Sequence, residues 1–151
     1  MPLNISKSSP LSPDGLALID ASEAALREVY PPEECFSFSP EELSGSDTDF
    51  LIARDGDTPV GCAALVDQGA YGEVKRMYLD PARRGSGIAA KMMAAIEEHA
   101  QARGLKKLKL ETGPELKAAV KLYERFGYRE CPAFGGYPDI ASNIFMEKSL
   151  S

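Results

Sequence analysis

From Glu73 to Ala89 a strand-like stretch runs into a glycine-bearing turn, Ala82-Arg83-Arg84-Gly85-Ser86-Gly87, and then into the start of a helix at Ile88 and Ala89. Such a junction offers unpaired backbone N–H groups and the positive end of a helix dipole. Glycines let the backbone come close to a ligand, and two arginines add positive charge. The chemistry it suits is capture of a phosphate or pyrophosphate, although a glycine-rich helix start is also an ordinary turn. The P-loop spelling GxxxxGK[ST] does not occur, and no GxGxxG follows a first strand, so ATPase and Rossmann dinucleotide readings lack support.

Other chemistries are poorly supplied. The three cysteines, Cys35, Cys62 and Cys131, are far apart and form no CxxC pair, and His99 is the single histidine. A disulfide framework and a metal site are therefore not expected, and a reducing cytoplasm is the natural setting. His99 lies among helix formers and reads as a solvent-side position. With 17 basic against 23 acidic residues the formal net charge is −6, which disfavours nucleic acid and anionic lipid as partners. No apolar run is long enough to span a bilayer, and the N-terminal residues do not read as a signal peptide.

The elements that must position the turn follow from periodicity. The 151 residues suit one domain, residues 1–151. Leu3 to Ser6 reads as a short strand. Leu16, Ile19, Leu26 and Val29 mark a helix over 14–30 that Pro31-Pro32 stops. Ser39-Pro40-Glu41-Glu42 is a capping box for a short second helix. Residues 49–54, 59–66 and 70–79 form three antiparallel strands, the first two joined by Asp55-Gly56-Asp57-Thr58. The long helix after the turn buries Ile88, Ala89, Met92, Met93, Ile96 and Ala100, with Gly104 past its end. Residues 106–111 alternate charge and Leu as a half-buried strand. Thr112-Gly113-Pro114-Glu115 caps a final helix carrying Leu116, Ala119, Val120 and Tyr123, which Gly127 ends. Strands at 128–131 and 143–148 close the chain. The expected class is α/β (α+β).

Arg84-Gly85-Ser86-Gly87-Ile88-Ala89, after a strand ending Met77-Tyr78-Leu79-Asp80-Pro81, resembles the R/Q-x-x-G-x-G/A signature of the GNAT superfamily of N-acetyltransferases. Downstream, Ala119 to Tyr128 resembles that family's A-x-x-L-Y-x-x-x-G-[FY] segment, at typical spacing. The resemblance spans about Phe50 to Lys148. It implies a mixed central sheet of about six to seven strands flanked by about four helices, with acetyl-CoA as co-substrate and no metal. It further implies a primary amine on a small molecule or peptide as acceptor, attacking directly in a ternary complex.

Residue by residue, the resemblance gives the amides of Met77 and Leu79, around Tyr78, to the pantetheine arm. The N–H groups from Arg84 through Gly85, Ser86, Gly87 and Ile88 to Ala89 would hold the pyrophosphate, with Arg83 and Arg84 side chains adding charge. A backbone N–H near Met77 would polarise the thioester carbonyl. Tyr123 matches the tyrosine proposed to protonate the departing thiolate, and Glu73 sits where several lysine acetyltransferases carry a general base. Plainer readings stand beside these: a core aromatic at Tyr123, an exposed strand residue at Glu73, a solvated arginine pair.

One position departs from the pattern. Leu116 stands where many members carry Asn, so coenzyme contacts there must differ. Leu110-Glu111-Thr112-Gly113-Pro114 resembles a subgroup of small bacterial acetyltransferases with LETG at this point. Tyr137, Asp139 and Ser142 fall in the loop between the last two strands, where they would serve either the acceptor or the turn. A non-catalytic acetyl-CoA sensor and a structural adaptor are the alternative functions, and the pattern leaves room for a homodimer.

Overall fold

A computed structural model describes residues 3–34 and 39–150, so Cys35 lies outside the described residues. Seven strands form one sheet: β1 (Leu3–Lys7), β2 (Thr48–Asp55), β3 (Thr58–Asp67), β4 (Gly72–Leu79), β5 (Lys107–Thr112), β6 (Arg129–Glu130) and β7 (Ile144–Ser149). Their order across the sheet is β1-β2-β3-β4-β5-β7-β6. All neighbours are antiparallel except β4 and β5, which run parallel because the long helix α2 (Ile88–Ala102) crosses between them.

The sheet buries both faces over its first half. Helix α1 (Pro13–Arg27) covers one face through Leu18 and Ile19, against Phe50, Ile52, Cys62, Ala64 and Val66. Helix α2 covers the other through Ile88, Met92, Met93, Ile96 and Ala100, the stripe its spacing predicts except for Ala89, which is only half-buried. Helix α3 (Lys117–Arg125) packs beside it. The β5 alternation holds: Leu108, Leu110 and Thr112 are buried, while Lys107, Lys109 and Glu111 turn to the opposite face.

Four sequence expectations change. Leu16 and Val29 point away from the sheet, at 41% and 42% exposure, because Gly15, Leu18, Ile19, Ser22 and Leu26 form the i, i+3, i+4 stripe that faces it. The Ser39–Glu42 box does form, with reciprocal bonds of 2.9 and 3.1 Å. It caps only a single 3-10 turn, Glu42–Ser44, since one buried anchor, Leu43, does not sustain a helix once Gly45 turns extended. Among the described residues the α-helices are thus three, not four. The Thr112 box does not form, because Thr112 ends β5 and the Glu115 N–H donates instead to the Tyr30 hydroxyl at 3.1 Å.

The fourth concerns His99, which is not a free solvent-side residue. Its Nδ1 lies 3.1 Å from Asp49, which also takes a two-pronged hydrogen bond from Arg103, both arms 2.9 Å, and an ion pair from Lys7 at 2.9 Å. This cluster clips the end of α2 to the end of β1 and the start of β2. The Arg103 hydrogen bond is the largest reason that the 5%-exposed Asp49 carboxyl sits well below the usual carboxylate range. A depressed folded pKa gives stability that is full above the unfolded value of about 3.9 and is lost as pH falls below it. Replacing Asp49 with Asn is expected to cost about 2–4 kcal/mol at neutral pH. Urea titrations at pH 7 and pH 3 should show that cost shrinking in acid.

Candidate functional site

Strands β4 and β5 pair only from Gly72–Leu108 to Val74–Leu110 and then part. Lys75 and Glu111 are the first residues beyond the last pair, one on each side of the opening wedge. The β5-side edge of β4 from Met77 to Leu79 consequently has no ladder partner among the described residues, an edge able to accept another extended chain.

A bulge opens the same strand. Lys75 pairs with Ala64 and Tyr78 with Cys62, so Arg76 and Met77 together oppose Ala63. Arg76 takes φ +54°, a left-handed value that costs a non-glycine residue about 1–2 kcal/mol. Contacts on both faces hold it there. Its guanidinium donates to Ser22 at 3.0 Å and Glu23 at 2.7 Å on α1, while its carbonyl accepts the Cys62 thiol at 3.3 Å. Burial pushes that thiol up to about 12, so Cys62 stays protonated and cannot serve as a thiolate nucleophile. Burial raises Cys131 as well.

The wedge holds a cavity of about 130 Å³ whose walls include Ser22, Leu26, Met77, Glu111, Leu116 and Tyr123. Tyr123 is fixed by the end of α3. Gly127, at φ +92°, lets Tyr128 fold back so that its N–H reaches the Tyr123 carbonyl at 3.0 Å, and the two rings lie 5.9 Å apart. Burial raises the Tyr123 phenol well above its ordinary value, with the Glu111 charge adding to the effect, so it remains a proton donor. Leu116 is the N-cap of α3 and provides no capping side chain.

Beyond Met77, which lines the cavity, Tyr78 packs toward the α1 side and Leu79 toward the α2 side. The strand then enters the glycine turn. Asp80 caps the short Pro81–Arg83 turn by accepting the Ala82 N–H at 3.0 Å. Gly85 and Gly87 stand at φ +81° and +83°, with open space where a Cβ would project. The first bond inside α2 is Lys91 N–H to Gly87 carbonyl, so the N–H groups of Ile88, Ala89 and Ala90 have no intrahelical partner. Arg84, Gly85, Ser86 and Gly87 are exposed, but Arg83 is already engaged with Asp55 in an ion pair.

Glu73 is placed elsewhere. It is 1% exposed, accepts from Gln68 at 3.1 Å and from the Tyr137 hydroxyl at 2.5 Å, and does not line the cavity. The plainer expectation of an exposed strand residue at Glu73 is therefore corrected: burial and two hydrogen bonds enclose its carboxylate. Lys75 donates to the same Tyr137 oxygen at 2.6 Å and stands 3.8 Å from Glu73. Tyr137 thus ties the β6–β7 loop to the sheet, where its ring meets Phe134 and Phe145. Asp139 is exposed on that loop, and Ser142 reaches the cavity wall with its hydroxyl unpartnered.

Glu111 is the residue that function-directed sequence reading passed over, quoted only within a motif. Its signal was the polar position of an alternating strand one residue before buried Thr112. Burial pushes its carboxyl up to about 7, against a lowering pull from Lys75, with Glu73 raising it further.

Residues 16–128 match the Acetyltransferase (GNAT) family. The chain is 37% identical over 150 residues to the IAA acetyltransferase of Azospirillum brasilense, covering 98% of both. A solved Klebsiella pneumoniae protein assigned as an acyl-CoA N-acyltransferase superposes with TM-score 0.83 at 33% identity, covering 99% of this chain and 98% of that one. The fold is also shared with the PaiA N-acetyltransferase of Thermoplasma acidophilum, solved with coenzyme A, at TM-score 0.78, 21% identity and 99% coverage of each.

The Arg76 geometry predicts a pair of effects. Arg76→Ala keeps the left-handed backbone but loses the α1 contacts, and should cost about 2–4 kcal/mol in chemical unfolding. Arg76→Gly should recover about 1 kcal/mol of that loss, because glycine tolerates the positive φ.

Proposed function

The chain belongs to the GNAT acetyltransferase family and is an N-acetyltransferase, and we propose that it moves acetyl from acetyl-CoA to a primary amine of a small molecule or peptide by direct attack in a ternary complex. The observation that carries this reading is the wedge between β4 and β5, with an unpaired strand edge leading from the cavity at Met77 into a helix N-terminus.

Those parts suit a long thioester ending in a pyrophosphate. The amides of Met77 and Leu79 bond the pantetheine arm as an added strand would. The N–H groups from Arg84 to Ala89 hold the pyrophosphate at the helix dipole, and the exposed Arg84 adds its charge. Arg83 contributes by holding the turn to Asp55 rather than by a free guanidinium. A backbone N–H near Met77, beside the bulge, polarises the acetyl carbonyl. The buried Tyr123 hydroxyl returns a proton to the departing sulfur. A protonated Cys62, bonded to the Arg76 carbonyl, leaves no role for it in a covalent acetyl-enzyme. We place the reaction in the cytoplasm, where acetyl-CoA and reduced thiols coexist.

The cavity of about 130 Å³ beside Met77 and Tyr123 supports a compact primary amine, on a small molecule or a peptide, as acceptor. Mass spectrometry of a panel of amino acids, polyamines, aminoglycosides and lysine peptides, incubated with acetyl-CoA and the protein, should reveal an acetylated product. Coenzyme binding without any product would favour a sensor instead.

Tyr123→Phe should lower kcat by about 10²-fold while leaving the KM for acetyl-CoA within about twofold, as expected for a group acting only in the transition state. Gly87→Glu adds backbone strain and a carboxylate at the pyrophosphate site. Calorimetry should find coenzyme A binding at least about 30-fold weaker, with loss of roughly 1 kcal/mol of stability.

A further inference from the structure

We propose that Glu111, not Glu73, is the base that takes the proton from the acceptor's ammonium group. The proposal rests on the acetyl-transfer reading and names a catalytic residue within it.

Three geometric facts carry it. Glu111 lines the cavity together with Met77 and Tyr123, whereas Glu73 does not. Glu111 stands at the apex of the wedge, one residue past the last β4–β5 pair, opposite Lys75 where the two strands begin to part. And no hydrogen bond or close ion pair ties its carboxylate among the described residues, while both oxygens of Glu73 are engaged. A carboxylate left unpartnered in a half-buried wall has a strong preference for a cation or a proton.

The surroundings set its working range. Lys75 and Glu73 face it from β4, Tyr123 from α3 and Tyr137 from the β6–β7 loop. Burial raises its proton affinity most, Lys75 pulls it down and Glu73 pushes it up, and both neighbours are held in place by the Tyr137 hydroxyl. The outcome, a carboxyl titrating at about 7, matches a base that must accept a proton and release it again near neutrality.

The step balances as follows. One ammonium proton passes to the Glu111 carboxylate, directly or through a water, leaving a neutral amine. The nitrogen lone pair forms the C–N bond at the acetyl carbonyl, and the C–S bond breaks with its electron pair remaining on sulfur. The second N–H proton reaches sulfur by way of the Tyr123 hydroxyl, and Glu111 later gives its proton to solvent. The products are the amide, the free thiol and one released proton.

The test is kcat/KM against pH for the wild type, Glu111→Gln and Glu73→Gln, using the acceptor that the amine panel identifies. The wild-type rate should rise through about pH 7 as the base loses its proton. Glu111→Gln should fall on the order of 10²–10³-fold at pH 7, lose that inflection, and regain rate toward pH 10 as the amine deprotonates by itself. Glu73→Gln should keep the inflection. An inflection that survives in Glu111→Gln, or disappears only in Glu73→Gln, would overturn the proposal. A flat wild-type profile between pH 5 and 8 would overturn it without any variant, so it stays testable even if a substitution prevents folding. A wild type that acetylates no amine would instead sink the acetyl-transfer reading, and the assignment of Glu111 with it.

Discussion

Everything at the site depends on one backbone distortion, the left-handed Arg76 within the β4 bulge. A regular β4 would continue its ladder along β5, closing the wedge and occupying its own edge. Two residues opposite one break that regularity, and the strand bends away after Val74. The distortion persists because Arg76 is bonded from opposite directions, through its side chain to α1 and through its carbonyl to Cys62. Strain of one or two kcal/mol is small beside a buried, charge-assisted contact. In this way α1, remote in sequence, shapes the strand that forms the cavity wall.

The second half of the sheet is built unlike the first. Over β2 and β3 both faces carry apolar side chains, covered by α1 and α2. Over β4 and β5 the α1-side face carries Glu73, Lys75, Lys109 and Glu111 instead, with the aromatic β6–β7 loop laid above. Burying charges is costly unless they are paired, and Glu73 and Lys75 meet that condition through Tyr137. Glu111 is the member of the group that the network leaves over. Lys109 lies over the Tyr71 and Phe134 rings at 5.1 and 5.4 Å, so even the aromatic cover is matched to the charge beneath it.

Local rules were legible wherever the physics is local. The strands at 49–54, 59–66 and 106–111, the apolar stripe of α2 and the glycine ends at Gly104 and Gly127 follow from side-chain period and backbone freedom, which the residues carry themselves. The departures arose where a distant partner intervened. Tyr30 took the Glu115 N–H in place of the Thr112 cap, and Asp49 on β2 claimed His99 of α2, 50 positions away in the chain. Leu16 and Leu18 are equally apolar, and only the direction from which the sheet approaches decides which of them is buried.

By itself, then, the sequence determined the order of elements, the glycine turn ahead of α2 and the kind of ligand such a turn suits, because each is a property of a few consecutive residues. The tertiary structure alone decided which carboxylate is available. Glu73 and Glu111 are both acidic residues on neighbouring strands, and nothing in their local spelling separates them. The parting of β4 from β5 puts Glu111 in the cavity wall, while the docking of Tyr137, 64 positions away in the chain, seals Glu73. Proton affinity depends on the dielectric and the charges around a group, and those are set by residues that meet only when the chain has folded.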